Sequence, residues 1–535
     1  MTPPSTVFQR RILIGAMICI AAFSLVGIRL VDVTLFNSGA DRIKPAAPVL
    51  LSRADLLDRN GELLARDLPA DDLYARPQML TDKRRAAHEL AVATGAEEQR
   101  LSHLFAGKYK SVLVARQLSR AARDKVSLLK LPGLEYQPNW KRYYPDGRMS
   151  AQVVGVTDLD DKGVSGLELG LEKRLHASPD PVVTSLDMRV QFILAHEAQA
   201  SLEEFRAKAA GGLVMDVRTG EILGLVSLPD FDPNTRDFTG TDSGRDVMVQ
   251  DVYELGSVFK IFSFAMAIEN HNVNLDEWIP IGNGYRIGRY TIHEAEHMPA
   301  MLRARDVLAQ SSNIGTAQIV LRSGPDRQQS FLRKMGLLAP VTSELPEGAH
   351  PLYPDHWGII ETATIGFGHG VSVSPLSFAA AAAAVVNGGR RIEPTFLKHS
   401  EDARGEQVIS PQTSATMREL LRYVVTDGTG KKADVPGYDV GGKTGSAEKS
   451  AGRRGYQAHK LVTSFCAAFP IGNPRYLVFV LLDEPHGTKA TGGFALAGYT
   501  AAPLAGHVIS RIAPLLGVPI DPITAAKENS SNGNG

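Results

Sequence analysis

Three short motifs follow one another in a single order along the chain, and they constrain its fold more than any other feature. A Ser-x-x-Lys motif comes first, a Ser-Ser-Asn motif second and a Lys-Thr-Gly motif third. Their residues are Ser257 to Lys260, Ser311 to Asn313, and Lys443 to Gly445. The motifs begin 54 residues (257 to 311) and 132 residues (311 to 443) apart. If all three act together, the fold must bring distant segments to one place.

Copies of the first two motifs show that order and context carry the signal. Ser-x-x-Lys also occurs at Ser127 to Lys130 and at Ser446 to Lys449, and Ser-Ser-Asn recurs at 530–532. The first copy runs into Leu131-Pro132-Gly133, which ends a helix. The second lies in a predicted strand, where its odd spacing sends the two side chains to opposite faces. We therefore assign no catalytic role to these copies.

The context of the first motif fits a nucleophile. Residues Ser257 to Glu269 predict an apolar helix with Ser257 in its first turn, so that Lys260 lies on the same face. The positive end of that helix favours an oxyanion. A serine hydroxyl needs a base within hydrogen-bond reach. Lys260 can serve if its pKa falls, which burial beside a second cation, Lys443, would cause. The sequence therefore predicts serine acyl transfer with lysine handling the proton.

The remaining motif residues have roles that follow from their functional groups. Ser311 can pass a proton between a lysine and a leaving amine, and Asn313 offers an amide to a peptide. Positive charge and hydroxyl groups near the third motif suit a terminal carboxylate, and its glycines fit a strand that a substrate backbone approaches closely. The predicted catalytic residues are Ser257, Lys260, Ser311, Asn313 and Lys443. The predicted substrate-binding residues are Thr444, Gly445 and Ser446, with no metal and no cofactor.

This motif set resembles the penicillin-binding and serine β-lactamase superfamily, over roughly residues 50 to 510. One group of segments looks like the opening hairpin of the transpeptidase domain: Ala210 to Asp216, Thr219 to Leu223, Pro229 and Phe231 to Asn234. Later segments are similar to the class B high-molecular-weight penicillin-binding proteins: Gly366 to Gly370, Ser374 to Leu376, Asn387 to Gly389 and Gly428 to Gly430. The chain has Leu255 where the family usually has Pro, and Ser446 where Thr is commoner. Neither departure removes a group that the chemistry needs.

The resemblance implies an α+β architecture in three parts. A single transmembrane helix would precede an elongated α/β pedestal and a transpeptidase domain whose antiparallel sheet is flanked by helices. The predicted ranges are 1–36 for the cytoplasmic stub and anchor, 45–180 for the pedestal, 185–515 for the transpeptidase domain and 520–535 for a disordered tail. Residue patterns agree with it, because 53–65 read as a hairpin around an Asn-Gly turn, and 463–469 and 476–483 as central strands.

The resemblance also implies a reaction. Ser257 would attack the penultimate D-Ala carbonyl of a peptidoglycan stem peptide, and an amine of a neighbouring stem would resolve the acyl-enzyme. A β-lactam would mimic the D-Ala-D-Ala end and trap the serine, and the backbone N–H groups of Ser257 and Ser446 would form the oxyanion hole. Asn313 in the second motif and the short pedestal favour the division-specific (FtsI-type) enzymes over the elongation type. Such an enzyme implies an FtsW-type lipid II polymerase and other divisome proteins as partners.

The N-terminus indicates the compartment. Arg10 and Arg11 precede seventeen uncharged residues (12 to 28), the short end of a membrane-spanning helix. A cleavable signal peptide is the alternative, with Ser38-Gly39-Ala40 as its cleavage site. We favour an anchor in the inner membrane, with its arginine pair in the cytoplasm and the rest of the chain in the periplasm. The 58 basic and 58 acidic residues balance, so nothing indicates nucleic acid.

Other functions must be weighed against this interpretation of the sequence. His293-Glu294-Ala295-Glu296-His297 matches a zinc-protease pattern, which requires a helix that brings both imidazoles to one face. A predicted strand before it and Met298-Pro299 after it argue against that helix. A β-lactamase would share the three motifs and would turn over a chromogenic cephalosporin. A β-lactam sensor would need further membrane segments, and a non-catalytic scaffold would have no need for the complete motif set.

Overall fold

The computed structural model describes residues 6–31, 52–235, 242–399, 401–450 and 455–522. The small-residue triplet at 38–40 and the tail residues 523–535 lie outside these ranges. The chain divides into two units, Met1–Leu51 and Ser52–Gly535. The described residues of the first unit form the helix α1 (Thr6–Val31). Within the described ranges, no helix is long and apolar enough to cross a membrane.

The second unit begins with a small mixed sheet at the position predicted for the pedestal. Its strands are β1 (Leu56–Leu57), β2 (Leu63–Ala75), β3 (Val112–Leu118), β4 (Leu134–Tyr143) and β5 (Val182–Val183). The predicted hairpin is confirmed, because β1 pairs antiparallel with β2 across the Asn-Gly turn. The helices of this part are α2 (Lys83–Thr94), α3 (Glu98–Ala106), α4 (Arg120–Leu128), α5 (Ala151–Val154), α6 (Gly166–Gly170) and α7 (Glu172–Ala177).

The rest of the second unit is built on a larger sheet. Its five strands are β6 (Ala209–Asp216), β7 (Ile222–Leu228), β14 (Gly441–Ser450), β15 (Tyr456–Phe469) and β16 (Tyr476–Asp483). They lie in the order β14-β15-β16-β6-β7, and every neighbouring pair is antiparallel. The short strands are β8 (Trp278–Pro280), β9 (Tyr285–Ile287), β10 (Tyr290–Ile292), β11 (Met301–Arg303), β12 (Arg390–Arg391) and β13 (Glu406–Gln407).

The helices of this part are α8 (Met188–Glu204), α9 (Lys260–Glu269), α10 (Ala304–Ala309), α11 (Asn313–Leu321), α12 (Pro325–Lys334), α13 (Ile359–Gly366), α14 (Pro375–Val386), α15 (Pro411–Thr426) and α16 (Ala501–Leu515). Two of them, α8 and α16, pack on one face of the sheet, and α14 packs on the other. Alternate residues of β16 point into different cores: Val478 and Val480 pack with α8 and α16, and Phe479 packs with α9 and α14. Because both faces are buried, the strand is a continuous apolar run. The predicted flanked antiparallel sheet is confirmed.

A buried charge network holds the start of the second unit together. Arg53 and Glu168 are both completely buried and form an ion pair at 2.8 Å between Nη2 and Oε2. Arg142 donates to the other carboxylate oxygen of Glu168 at 2.7 Å and pairs with Asp67. Arg53 also donates its backbone N–H to Asp67. Each charged side chain therefore has its partners in a site that excludes water. Removing one member of such a network destabilises a protein strongly, because the remaining charge is buried without its partner.

Replacing Arg53 with methionine should therefore destabilise this part of the protein by about 3–5 kcal/mol, because Glu168 would be left with a buried, partly uncompensated charge. Arg66→Met is the matched control, because Arg66 is half exposed in its pair with Asp55 and its replacement should have a much smaller effect. The measurement is the free energy of unfolding of each full-length variant from urea denaturation. Equal effects of the two substitutions would contradict this account.

Candidate active site

The first motif begins in a 3₁₀ turn rather than in an α-helix. Gly256–Phe259 form that turn, and α9 starts at Lys260. Gly256 has φ of +60°, and a Cβ there would lie 2.5 Å from the carbonyl oxygen of Ser446, so the backbone before Ser257 rests directly on β14. Lys260 Nζ lies 2.9 Å from Ser257 Oγ. The turn differs from the prediction because contact with the sheet edge requires a positive φ that an α-helix does not contain.

The second motif reaches the first from the loop between α10 and α11. Ser311 adopts a left-handed backbone with φ of +64°. In this conformation its carbonyl oxygen and its Oγ both face Lys260 Nζ, at 2.5 and 3.1 Å. Asn313, the first residue of α11, places its Oδ1 at 2.8 Å from the same nitrogen. Four oxygen atoms lie around Lys260 Nζ, which is one more than the three N–H groups of an ammonium can reach. A neutral amine has a lone pair, and that lone pair can accept the hydroxyl proton of Ser257.

The third motif lies on β14, the edge strand of the larger sheet. Lys443 Nζ donates to Ser311 Oγ at 3.0 Å, so this hydroxyl lies between two lysines. Lys443 also bonds the Thr444 carbonyl and hydroxyl oxygens, and Thr444 Oγ1 lies 2.7 Å from Thr429 Oγ1. Ser446 Oγ accepts a hydrogen bond from the Ala497 N–H, which leaves its hydroxyl proton available to a ligand. All eight residues predicted from the sequence are thus gathered in one region.

Burial separates the lysines from the groups that face solvent. Ser257, Ser311 and Asn313 are partly exposed, whereas the Lys260 and Lys443 side chains are completely buried. Burial, and after it the positive charge of Lys443, lowers the pKa of Lys260 well below that of a free amine. Burial lowers the pKa of Lys443 to about 7. These are the two causes expected from the sequence, and they make an amine available as a proton acceptor near neutral pH.

The glycines of β14 have a physical reason in the packing of the domain itself. A Cβ on Gly445 would lie 2.4 Å from the Leu255 carbonyl oxygen, and a Cβ on Gly442 would lie 2.5 Å from the Cys466 carbonyl oxygen. A Cβ on Gly441 would likewise clash with the side chain of Ile471. The chain itself occupies the space of the missing side chains, so packing within the domain is sufficient to require glycine, and substrate approach to this strand stays a prediction. In particular, the bare Gly445 lets the segment carrying Ser257 pack onto the strand.

A cavity of about 330 Å³ adjoins the motifs on the side of Asn313. Its lining comes from the β9–β10 hairpin, α13 and the segment after it, and β15. His369 contributes an imidazole that lies edge-on to Phe367 and Tyr456. Burial, followed by the nearby charge of Lys260, lowers the pKa of His369 to about 4, so the ring is neutral at pH 7. The cavity is thus a largely apolar space next to Asn313 of the second motif.

The zinc-protease pattern does not form its required geometry. Residues His293 to His297 are not helical in the structure, so the helix that would bring both imidazoles to one face is missing. Glu294 instead hydrogen-bonds the start of α11, at the second motif. Sequence reasoning missed this residue and also Thr429, the partner of Thr444. The Gly-Thr-Gly context of Thr429 was a signal, whereas nothing in the sequence connects Glu294 with a motif 17 residues later (294 to 311).

Two protein families match the chain. The penicillin-binding protein transpeptidase domain matches residues 210–504, and the penicillin-binding protein dimerisation domain matches residues 49–200. The first match alone covers more than half of the chain and contains the three motifs. The chain therefore belongs to the penicillin-binding proteins, and the two domains in this order make it a class B member.

Relatives within this family cover most of the chain. The probable peptidoglycan D,D-transpeptidase FtsI of Caulobacter vibrioides is 38% identical over 482 residues, which are 87% of this chain and 82% of that protein. The probable peptidoglycan D,D-transpeptidase PenA of Neisseria meningitidis is 31% identical over 527 residues, 92% of this chain and 89% of that protein. The crystal structure of penicillin-binding protein 3 from Mycobacterium tuberculosis with aztreonam superposes with a TM-score of 0.69 at 26% identity, covering 88% and 98% of the two chains.

The lowered pKa of Lys443 should make stability depend on pH. The folded protein releases this proton at about pH 7, whereas the unfolded chain holds it to about pH 10.4. Because the unfolded state binds the extra proton in this window, raising the pH should stabilise the wild type relative to Lys443→Met, by up to about 1.4 kcal/mol per pH unit. Urea denaturation of both proteins from about pH 7 to about pH 9 measures the difference. A constant difference would contradict the assignment.

Proposed function

We propose that this chain cross-links peptidoglycan as a serine D,D-transpeptidase, with Ser257 as nucleophile and Lys260 as its base. The observation that carries the proposal is the meeting of two buried lysines with the hydroxyls of Ser257 and Ser311. A hydroxyl becomes a useful nucleophile when a neutral base lies within hydrogen-bond distance. The names of relatives that are 31–38% identical over most of the chain support the same reaction.

Acylation uses these contacts in sequence. The Ser257 proton passes to neutral Lys260 as Oγ attacks the penultimate D-Ala carbonyl of a stem peptide. The resulting oxyanion lies against the backbone N–H groups of Ser257 and Ser446, in the region where the two segments pack together. Ser311, which contacts both lysines, relays a proton to the departing nitrogen. The C–N bond breaks, the terminal D-Ala leaves as an amine, and the stem peptide remains as an ester on Ser257.

Transfer reverses this proton flow. An amine of a neighbouring stem gives a proton to Lys260 while it attacks the ester, and Ser257 recovers its own proton as the cross-link forms. Lys443, Thr444 and Ser446 offer the charge and hydroxyls that hold the terminal carboxylate before it departs. Asn313 and the backbone of Gly445 hold the stem peptide, and the apolar cavity next to Asn313 accommodates a substrate side chain. A β-lactam acylates Ser257 by the same route.

The cellular role that we propose is septal synthesis. Asn313 in the second motif and the FtsI name of the Caulobacter relative support it. We place the chain in the inner membrane through one helix, with the catalytic domain in the periplasm, because the uncharged run 12–28 follows an arginine pair. In this proposal the pedestal at 45–180 and the membrane helix bind an FtsW-type polymerase and other divisome proteins. The transpeptidase domain spans 185–515.

The nucleophile assignment predicts which serine carries a penicillin adduct. Wild type should gain the mass of one penicillin in intact-mass spectrometry, and Ser257→Ala should gain none. Ser127→Ala is the matched control, because Ser127 lies at the end of α4 in a Ser-x-x-Lys copy whose lysine is outside the helix, and it should label like wild type. An adduct on Ser257→Ala would contradict the assignment. Rapid turnover of a chromogenic cephalosporin without stable label would instead favour a β-lactamase.

The septal role predicts a phenotype in the bacterium that carries this gene. Depletion of the protein should stop division while growth continues, so that cells become filaments, and a fluorescent fusion of the full chain should collect at the septum. Microscopy of depleted cells, with the wild-type gene restored as the control, measures this. Cells that lose their rod shape but keep dividing would assign the protein to elongation.

A further inference from the structure

Glu294 is the one acidic side chain in direct hydrogen-bond contact with the second motif among the described residues. It lies in the non-helical segment between β10 and β11. One carboxylate oxygen accepts the backbone N–H of Asn313 at 2.8 Å. The other accepts the N–H of Ile314 at 3.0 Å and the hydroxyl of Ser312. A single carboxylate thus binds three consecutive residues at the point where the motif becomes a helix.

These bonds complete a helix cap that the motif cannot make alone. Ser312 is the N-cap residue of α11, and its side chain accepts the Gly315 N–H at 2.9 Å. The N–H groups of Asn313 and Ile314 remain without partners inside the helix, as at any helix start. Glu294 supplies both partners, and its negative charge lies at the positive end of α11. The direction in which Asn313 leaves the turn therefore depends on a residue outside the motif.

The turn needs such support because it is strained. A non-glycine residue with positive φ is conformationally strained and persists only where its surroundings hold it. Ser311 has this conformation directly before the cap. If the turn relaxed, the Ser311 carbonyl and Oγ and the Asn313 Oδ1 would lose their positions around Lys260 Nζ. Glu294 holds the turn through the Ser312 hydroxyl and the Asn313 and Ile314 N–H groups, none of which contacts the lysine.

The charge of Glu294 also acts on Lys260. Three charged or titratable groups bear on that amine: Lys443 on β14, His369 after α13, and Glu294. His369 is neutral at pH 7, so the lysine pair and the carboxylate dominate. Burial and Lys443 lower the pKa of Lys260, and Glu294 opposes them by raising it. Removing the carboxylate should therefore let Lys260 lose its proton at lower pH.

We propose that Glu294 is a positioning residue of the transpeptidase reaction, whose carboxylate fixes the Ser311–Asn313 turn around Lys260 and balances the charge of the lysine pair. The proposal rests on the proposed function, because it concerns the same acylation step. It gives the Glu residue of the zinc-like pattern a role that requires no metal. It also distinguishes Glu294 from Glu296, which is exposed two residues later.

The test is the rate of acylation by a fluorescent penicillin as a function of pH, measured on the full chain. Glu294→Gln should lower the plateau rate about tenfold, because one amide group cannot accept from all three donors. The acid limb of its profile should move to lower pH by about one unit, because the charge that retains the Lys260 proton is gone. Glu294→Asp should keep the acid limb of wild type, and Glu296→Gln should match wild type throughout.

Thermal unfolding of each variant separates positioning from folding. A Glu294→Gln profile equal to that of wild type would overturn the proposal. A slower rate with an unmoved acid limb and a lowered unfolding temperature would also overturn it, because the residue would then serve stability alone. If wild type is not acylated at any pH, the proposed function itself fails, and the role of Glu294 fails with it. A labelled wild type with unaffected Glu294 variants refutes only the positioning role.

Discussion

The site depends on two lysine amines kept completely out of water beside one serine hydroxyl. Lys260 and Lys443 both contact Ser311 Oγ, and a protonated pair at that separation would repel strongly in a buried environment. Burial lowers the pKa of both amines, and the charge of Lys443 lowers that of Lys260 further, so that the pair gives up a proton. The burial that suits Lys260 to its proposed role as a base is therefore the same burial that makes the folded state sensitive to pH.

The remainder of the catalytic domain can be understood as the support for that pair. The two cores on opposite faces of the larger sheet fix β14, which carries Lys443, against the turn that carries Ser257. Glycines at the contact allow the backbones to touch, and a strained turn brings Ser311 in from the helical region. Each of these features has an unfavourable conformational or desolvation cost. Burial of a large apolar core provides the stability that offsets it.

Prediction from the sequence succeeded where a signal was local or chemical. The hairpin around Asn60-Gly61 and the apolar strands β15 and β16 follow from turn chemistry and hydrophobic pattern. It failed where the cause was contact between distant segments. The 3₁₀ turn at Ser257 and the requirement for glycine at position 445 both arise because the segment with Leu255 packs on β14. That contact is not visible in the sequence of either segment.

The sequence by itself determined which chemical groups the site contains and in which order the chain supplies them. It did so because a serine nucleophile with lysine as its base needs specific side chains, and such side chains are visible as motifs. The tertiary structure alone decided the burial of the lysines, the left-handed turn at Ser311 and the contact of Glu294 with α11. These depend on distances between residues far apart in sequence, and distance and burial are what shift a pKa and fix a geometry.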